Sequence, residues 1–403
     1  MALSGDSRPD LLVLSGIEAG DSGTGRLVQY LERRLLSSGL SGEVFSRPEV
    51  LFTTYGRLRR GELRQALTGV ARFRCDWARF RHGWTLARNH SSVPLLLLHP
   101  QSLGFEATLD LIEARRVPAT LFLLDSSFFC VSSYNYVRGE HAPCIRCVGG
   151  NFDAARALHC RAVPRLRRFD VRTIERMRGV VRSGKVRLLA QTQVQADLAQ
   201  RHFGFDRAPE VVGLWTEEFE ALPDIIVASE AAGQMSAPSK YDVVFHGHHV
   251  PAKGTDWLLA VARSSPKLRF LFPFTRRPWL DAPSNCHFVP MLWRSGLEEA
   301  VRTSFITTVP SMWSAPIEGA LIKSLAVAPR VAVAENSTSF AATLPAGSVL
   351  VLPAEPKEAG AALERAFHAN WKPDAGVIER WLRDFRAGRE RFFERLVAAT
   401  MER

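Results

Sequence analysis

Short, mostly apolar runs recur along the chain, at residues 11–14, 93–98, 117–124, 186–190, 243–245, 268–272, 287–290, 305–309, 330–334 and 349–353. Each has strand length and is read as a strand, and those at 11–14, 93–98, 117–124 and 243–245 predict buried strands. Between them lie segments with helical spacing. Leu27, Tyr30, Leu31 and Leu35 fall on one face, and Trp257, Leu258, Leu259 and Val261 on another. Further helices are expected at 26–36, 193–203, 316–326, 357–370 and 376–401. Strand–helix alternation of this kind argues for parallel sheets covered by helices. At 403 residues, with hydrophobic residues at 46% and charged at 23%, the chain is long enough for two such domains. The stretch 208–235 has little periodicity and reads as their connection, with the boundary near residue 235.

Residues 241–260 carry the first candidate chemistry. A buried strand stops at Gly247, a loop with His248 and His249 follows, and Lys253-Gly254 precedes Thr255-Asp256, read as a helix N-cap pair. A strand, a glycine turn and a helix N-terminus direct free N–H groups and the positive end of the helix dipole at one loop. Lys253 adds a point charge where a phosphate would sit. The alternative is an ordinary strand–helix turn with a lysine in solvent. A glycine-rich loop also leaves the first strand, with Gly23 and Gly25 ahead of the first helix. It lacks the dinucleotide-binding spacing, but lets the backbone approach a ligand closely.

The 241–260 stretch, taken with Pro310, Ser311, Ser314 and Pro316, resembles the nucleotide-sugar half of a GT-B glycosyltransferase, within it the retaining family GT4. Gly247, Lys253 and Gly254 match that family's glycine and Lys-Gly. His248 stands where its arginine is expected, and Ala315 and Lys323 where its two glutamates are expected. The resemblance implies an α/β fold of two Rossmann-like doubly wound domains around an interdomain cleft. The first domain, 1–235, would face the acceptor, and 236–375 would hold the donor. A C-terminal helix, 376–403, would cross back to the first domain. It implies donor contacts from Gly23, Gly25, Gly247, His248, Lys253, Ser314, Lys323 and Ser339. Asp125 stands at a strand end where relatives carry His-Asp, and is expected to be catalytic. Glu318 is expected to restore a carboxylate to the sugar pocket, three residues past Ala315 on one helical face.

Cys130, Cys144, Cys147 and Cys160 form a small Cys-rich insert in the first domain, around a central C-x-x-C. In a chain read as cytoplasmic, four thiolates suggest a structural zinc site. An Fe–S cluster or unligated thiols are the alternatives. Four protein ligands leave no open position, and no catalytic metal is expected. Tyr134-Asn135-Tyr136-Val137-Arg138 lies inside the insert and resembles a Tyr-Asn-x-x-Arg element of some GT4-like sequences.

The formal charge is +11, which favours anionic partners. Arg57, Arg59, Arg60, Arg64, Arg72, Arg74, Arg79, Arg81 and Arg88 interleave with Phe73, Trp77, Phe80 and Trp84. Such a helix can lie on an anionic membrane surface, or it can be a solvated face opposite a core face. The expected partners are a nucleotide-diphosphate sugar and a glycan or lipid-linked acceptor, with peripheral membrane association and no nucleic acid. No apolar run approaches the length of a membrane span, and no signal-peptide pattern opens the chain. Two functional readings stand: a glycosyltransferase of cell-envelope synthesis, and an inactive GT-B scaffold that binds glycan, lipid or protein.

Overall fold

The computed structural model describes residues 9–20, 22–48, 63–161, 170–215 and 240–402. Arg57, Arg59, Arg60 and the expected boundary near 235 lie outside them, as does the side chain of Arg64. The chain divides into two compact units. One comprises Met1–Ser133, Arg146–Thr216 and Arg391–Arg403; the other comprises Tyr134–Ile145 and Glu217–Glu390.

The first unit holds β1 (Leu11–Ser15), β2 (Gly42–Ser46), β3 (Leu95–Leu98), β4 (Ala119–Phe122), β5 (Val186–Ala190) and β6 (Glu210–Val211). They form one six-stranded sheet in the order β2-β1-β3-β4-β5-β6, and every pairing is parallel. β1, β3 and β4 are buried along their whole length, as their apolar runs require. On one side Leu27, Val28, Leu31 and Leu35 of the helix Gly23–Ser38 cover the sheet, joined by Phe392, Phe393 and Leu396 of the last helix, Phe392–Met401. Along the helix Leu63–Asn89, Phe73, Trp77, Phe80 and Trp84 stack in sequence, with ring centroids 5.6–6.2 Å apart. Phe80 is buried, while Arg72, Arg74, Arg79, Arg81 and Arg88 are exposed. The aromatic stripe therefore packs on its own helix and sheet, and solvent meets arginine.

The second unit holds β7 (Val243–Phe245), β8 (Phe270–Phe272), β9 (Cys286–Phe288), β10 (Ile306–Thr308), β11 (Val331–Ala334) and β12 (Leu350–Leu352). Its order is β12-β11-β10-β7-β8-β9, again all parallel. Strand order reverses between β7 and β10, because the chain winds outward from β7 in one direction and from β10 in the other. Loops leaving the carboxyl ends of two such strands part to opposite faces of the sheet and leave a crevice. Apolar clusters fill both faces. Trp257, Leu258 and Val261 of the helix Thr255–Ser264 pack on one, and Leu321, Ile322 and Leu325 of the helix Gly319–Val327 on the other. Among the described residues, no helix is long and apolar enough to cross a membrane.

Candidate functional site

The loops that leave β7 and β10 carry the site. After β7 the chain passes Gly247 and makes a short 3-10 turn, Pro251–Lys253. It turns at Gly254, which is left-handed at φ 83°, and enters the helix Thr255–Ser264. Gly254 itself caps that helix and no side chain does, which corrects the expected Thr255-Asp256 cap. The reason for glycine is steric as well as conformational. A Cβ there would stand 2.0 Å from the carbonyl oxygen of Pro310, in the loop after β10. The two loops touch backbone to backbone at this point.

Lys253 is not in solvent. Its Nζ lies 2.6 Å from Glu318 Oε1, and both side chains are nearly buried, at 13% and 11% exposure. The Ser311 hydroxyl donates to the same Oε1 at 2.7 Å. The ammonium also lies 5.1 Å from the Trp313 ring centre and 5.8 Å from that of Tyr134, within cation–π range. Glu318 precedes the helix Gly319–Val327, in extended backbone (φ −112°, ψ 143°). The expected start of this helix at Pro316 is therefore three residues early, and Ala315 and Glu318 do not share a helical face. Glu318 reaches Lys253 because it sits at the entrance of that helix. Ala315, at a position where the family carries glutamate, is buried.

Ser314 is buried and fully bonded. Its N–H donates to Asn135 Oδ1 at 2.9 Å, and its hydroxyl accepts from Asn135 Nδ2 at 2.8 Å. The same hydroxyl meets Thr338 Oγ1 at 2.6 Å. Ser339 is buried too, and its hydroxyl caps a short turn by accepting from the Ala341 N–H at 3.2 Å. Lys323 lies over Trp293 at 5.3 Å, and Trp293 stacks on the buried His246 ring at 5.0 Å. Burial, with Lys323 and His248 adding positive charge, lowers the His246 pKa to about 3, so this imidazole is neutral. Its Nδ1 meets Ser324 Oγ at 2.9 Å. His248 is exposed. Lys253, Glu318 and Ser314 thus share one region of the second unit with Ser339, Ser311, Asn135, Thr338 and Asn336, and the hydrogen bonds that join them are what the sequence does not show. The Pro-Ser motif was the available signal for Ser311, and Tyr-Asn-x-x-Arg for Asn135.

The remaining residues belong to the first unit. Gly23 and Gly25 lie inside the first turn of the helix Gly23–Ser38, which opens three residues earlier than its apolar face suggests. The Gly25 N–H is taken by the Ser22 hydroxyl at 3.0 Å. Asp125 follows β4. It accepts from Gln101 Nε2 and, at 2.9 Å, from the Ser127 N–H; His99 Nε2 lies 3.7 Å away. His99 holds a left-handed backbone, φ 54°, at the end of β3, a conformation uncommon outside glycine. A Cβ on Gly16, in the loop after β1, would come within 2.2 Å of the His99 carbonyl oxygen, so these loops too are in backbone contact.

Cys130, Cys147 and Cys160 belong to the first unit and Cys144 to the second. None of the six cysteines forms a disulfide. Among the described residues, no group of three or more His, Cys, Asp or Glu side chains is placed to hold a metal ion.

No family model and no curated protein sequence matches the chain. Solved structures do. HepE of Anabaena, in complex with UDP-glucose, is 12% identical at a TM-score of 0.52, covering 96% of this chain and 99% of that one. The alpha,alpha-trehalose-phosphate synthase (UDP-forming) from Burkholderia vietnamiensis is 13% identical at 0.51, covering 97% and 100%. The chain has the GT-B fold. A glycosyltransferase from Rickettsia africae is similar over 98% of this chain and 96% of its own, at a TM-score of 0.50 and 10% identity. In this GT-B chain the second unit carries the Lys253 site at the point where its strand order reverses.

Proposed function

We propose that the protein is a glycosyltransferase that takes a sugar from a nucleotide-diphosphate donor and passes it to a cell-envelope glycan or lipid-linked acceptor. The observation that carries this reading is the lysine at the switch point. Lys253 stands directly before a helix N-terminus, at the carboxyl end of β7, against the loop after β10. A departing nucleoside diphosphate needs its growing negative charge met by fixed positive groups. An ammonium and the free N–H groups of a helix start meet it without a metal. Two similar structures hold UDP-glucose or act as a UDP-forming synthase, in keeping with the same donor class. Ser314 and Ser339 are buried beneath the Lys253 region, and Lys323 supplies a further cation. Asp125, held by Gln101 and Ser127, is the proposed catalytic carboxylate of the first unit. Retention of configuration and an anionic membrane surface as the working site rest on the GT4 resemblance and on the exposed arginines.

One observation favours the inactive-scaffold reading. Glu318 already neutralises Lys253, and neither Ala315 nor Lys323 offers the carboxylate found in relatives. A thermal-shift screen with UDP, GDP and their sugars separates the two. A rise in melting temperature with one nucleotide family is expected, following the mass action of a ligand that binds only the folded state. No response to any of them would leave the scaffold reading standing. Zinc enters through the cysteine spacing alone. Elemental analysis of purified protein decides it: about one equivalent supports a thiolate site, and less than about half an equivalent removes it.

A further inference from the structure

The segment Tyr134–Ile145 lies within the Cys-rich insert in sequence but packs with the second unit. It closes on itself through the Cys144 N–H, which donates to the Asn135 carbonyl at 2.7 Å, and through a bridge between Tyr136 and Pro143. Asn135 is completely buried. Its amide grips Ser314 with both ends, accepting from the backbone N–H and donating to the hydroxyl, and Nδ2 also donates to the Cys144 carbonyl at 3.1 Å.

The hydroxyl protons then have one consistent direction. Thr338 Oγ1 donates to Asn336 Oδ1 at 3.2 Å, so the Ser314 hydroxyl, which accepts from Asn135, donates to Thr338. Asn336 Nδ2 in turn donates to the Trp313 carbonyl at 2.9 Å. The chain of bonds runs from the strap, through the loop after β10, into the loop after β11. Polar groups buried in irregular backbone are costly unless every one is satisfied, and a satisfied network fixes a single geometry. A looser apolar contact would hold the strap equally well and would fix nothing. What this network fixes is the loop Ser311–Ala315, whose Ser311 and Trp313 contact the Lys253–Glu318 pair. Tyr134, next to Asn135, meets Trp313 edge-on at 4.7 Å and forms the second aromatic wall around the ammonium.

We propose that Asn135 is a positioning residue for the donor site: it holds the Ser311–Ala315 loop in the register that places Trp313, Ser311 and Lys253 for a nucleoside diphosphate. The inference rests on the donor-site reading above, and the test keeps the two apart. UDP binding is measured by calorimetry on wild-type protein, Asn135→Ala and Thr338→Val. Hydrogen exchange over residues 309–316 is followed in the same proteins without nucleotide. Asn135→Ala is expected to weaken UDP binding roughly tenfold and to speed exchange in that segment, because it deletes buried bonds. Thr338→Val cuts the chain one bond further on and is expected to act in the same direction. It also keeps the test decisive where Asn135→Ala does not fold. A lower melting temperature with unchanged UDP affinity would make Asn135 a structural residue only and overturn the proposal. Wild-type protein that ignores UDP would overturn the donor reading, and exchange at 309–316 would then decide the clamp: faster in the variants supports it, unchanged overturns it.

Discussion

Lys253→Ala is expected to abolish the response to nucleotide diphosphates and to destabilise the protein by about 3–5 kcal/mol, the cost of leaving one member of a buried ion pair without its partner. Here that member is Glu318, at 11% exposure and bonded otherwise only to the Ser311 hydroxyl among its described contacts. The two effects have different causes and are separable. In the double variant Lys253→Ala/Glu318→Ala no unpaired charge remains, so most of the lost stability is expected to return, while nucleotide binding stays absent. Chemical denaturation of the two single variants and the double variant gives the coupling directly. If the double variant binds UDP as wild type does, Lys253 has no part in the donor site.

Gly254→Ala is expected to cost several kilocalories per mole and to remove nucleotide binding together with it. The new Cβ would sit 2.0 Å from the Pro310 carbonyl oxygen, a backbone atom that cannot rotate away. The residue would also have to hold φ 83°, which costs an L-residue about 1–2 kcal/mol by itself. Relief requires the loops after β7 and β10 to separate, and Lys253 and Ser311 lie on those two loops. Gly388→Ala provides the contrast. Gly388 is inside the helix Ala375–Glu390 and a Cβ there meets nothing within 4 Å. That substitution is expected to be neutral or stabilising by about 0.5–1 kcal/mol. Thermal or urea denaturation of the two variants checks both statements, and equal stabilities would contradict the close-approach argument.

The sheets were legible because central parallel strands buried on both faces leave mostly apolar runs, and every run read as a strand has a strand in it, although the edge strands β9 and β12 are only partly buried. β2 was missed because only Val44 and Phe45 of its five residues are buried, and β6 because it is two residues long. The site was legible as a motif and illegible as a contact. Lys253 before a helix start is a local pattern. Its partner Glu318 is not, since the local argument placed Glu318 on a helix face, whereas the structure puts it ahead of the helix in extended backbone. The strap is the sharper case. Nothing local in Tyr134–Ile145 says that it packs with the second unit, because that choice is made by Asn135 bonding to Ser314, far away in sequence.

A donor diphosphate is expected to take Lys253 as its counter-charge, and a crystal structure of the protein with UDP is the decisive measurement. Phosphate oxygens are expected within ion-pair distance of Lys253 Nζ, at the start of the helix Thr255–Ser264, with Glu318 released or sharing the ammonium. UDP bound elsewhere, with the Lys253–Glu318 pair closed at its present 2.6 Å, would contradict it.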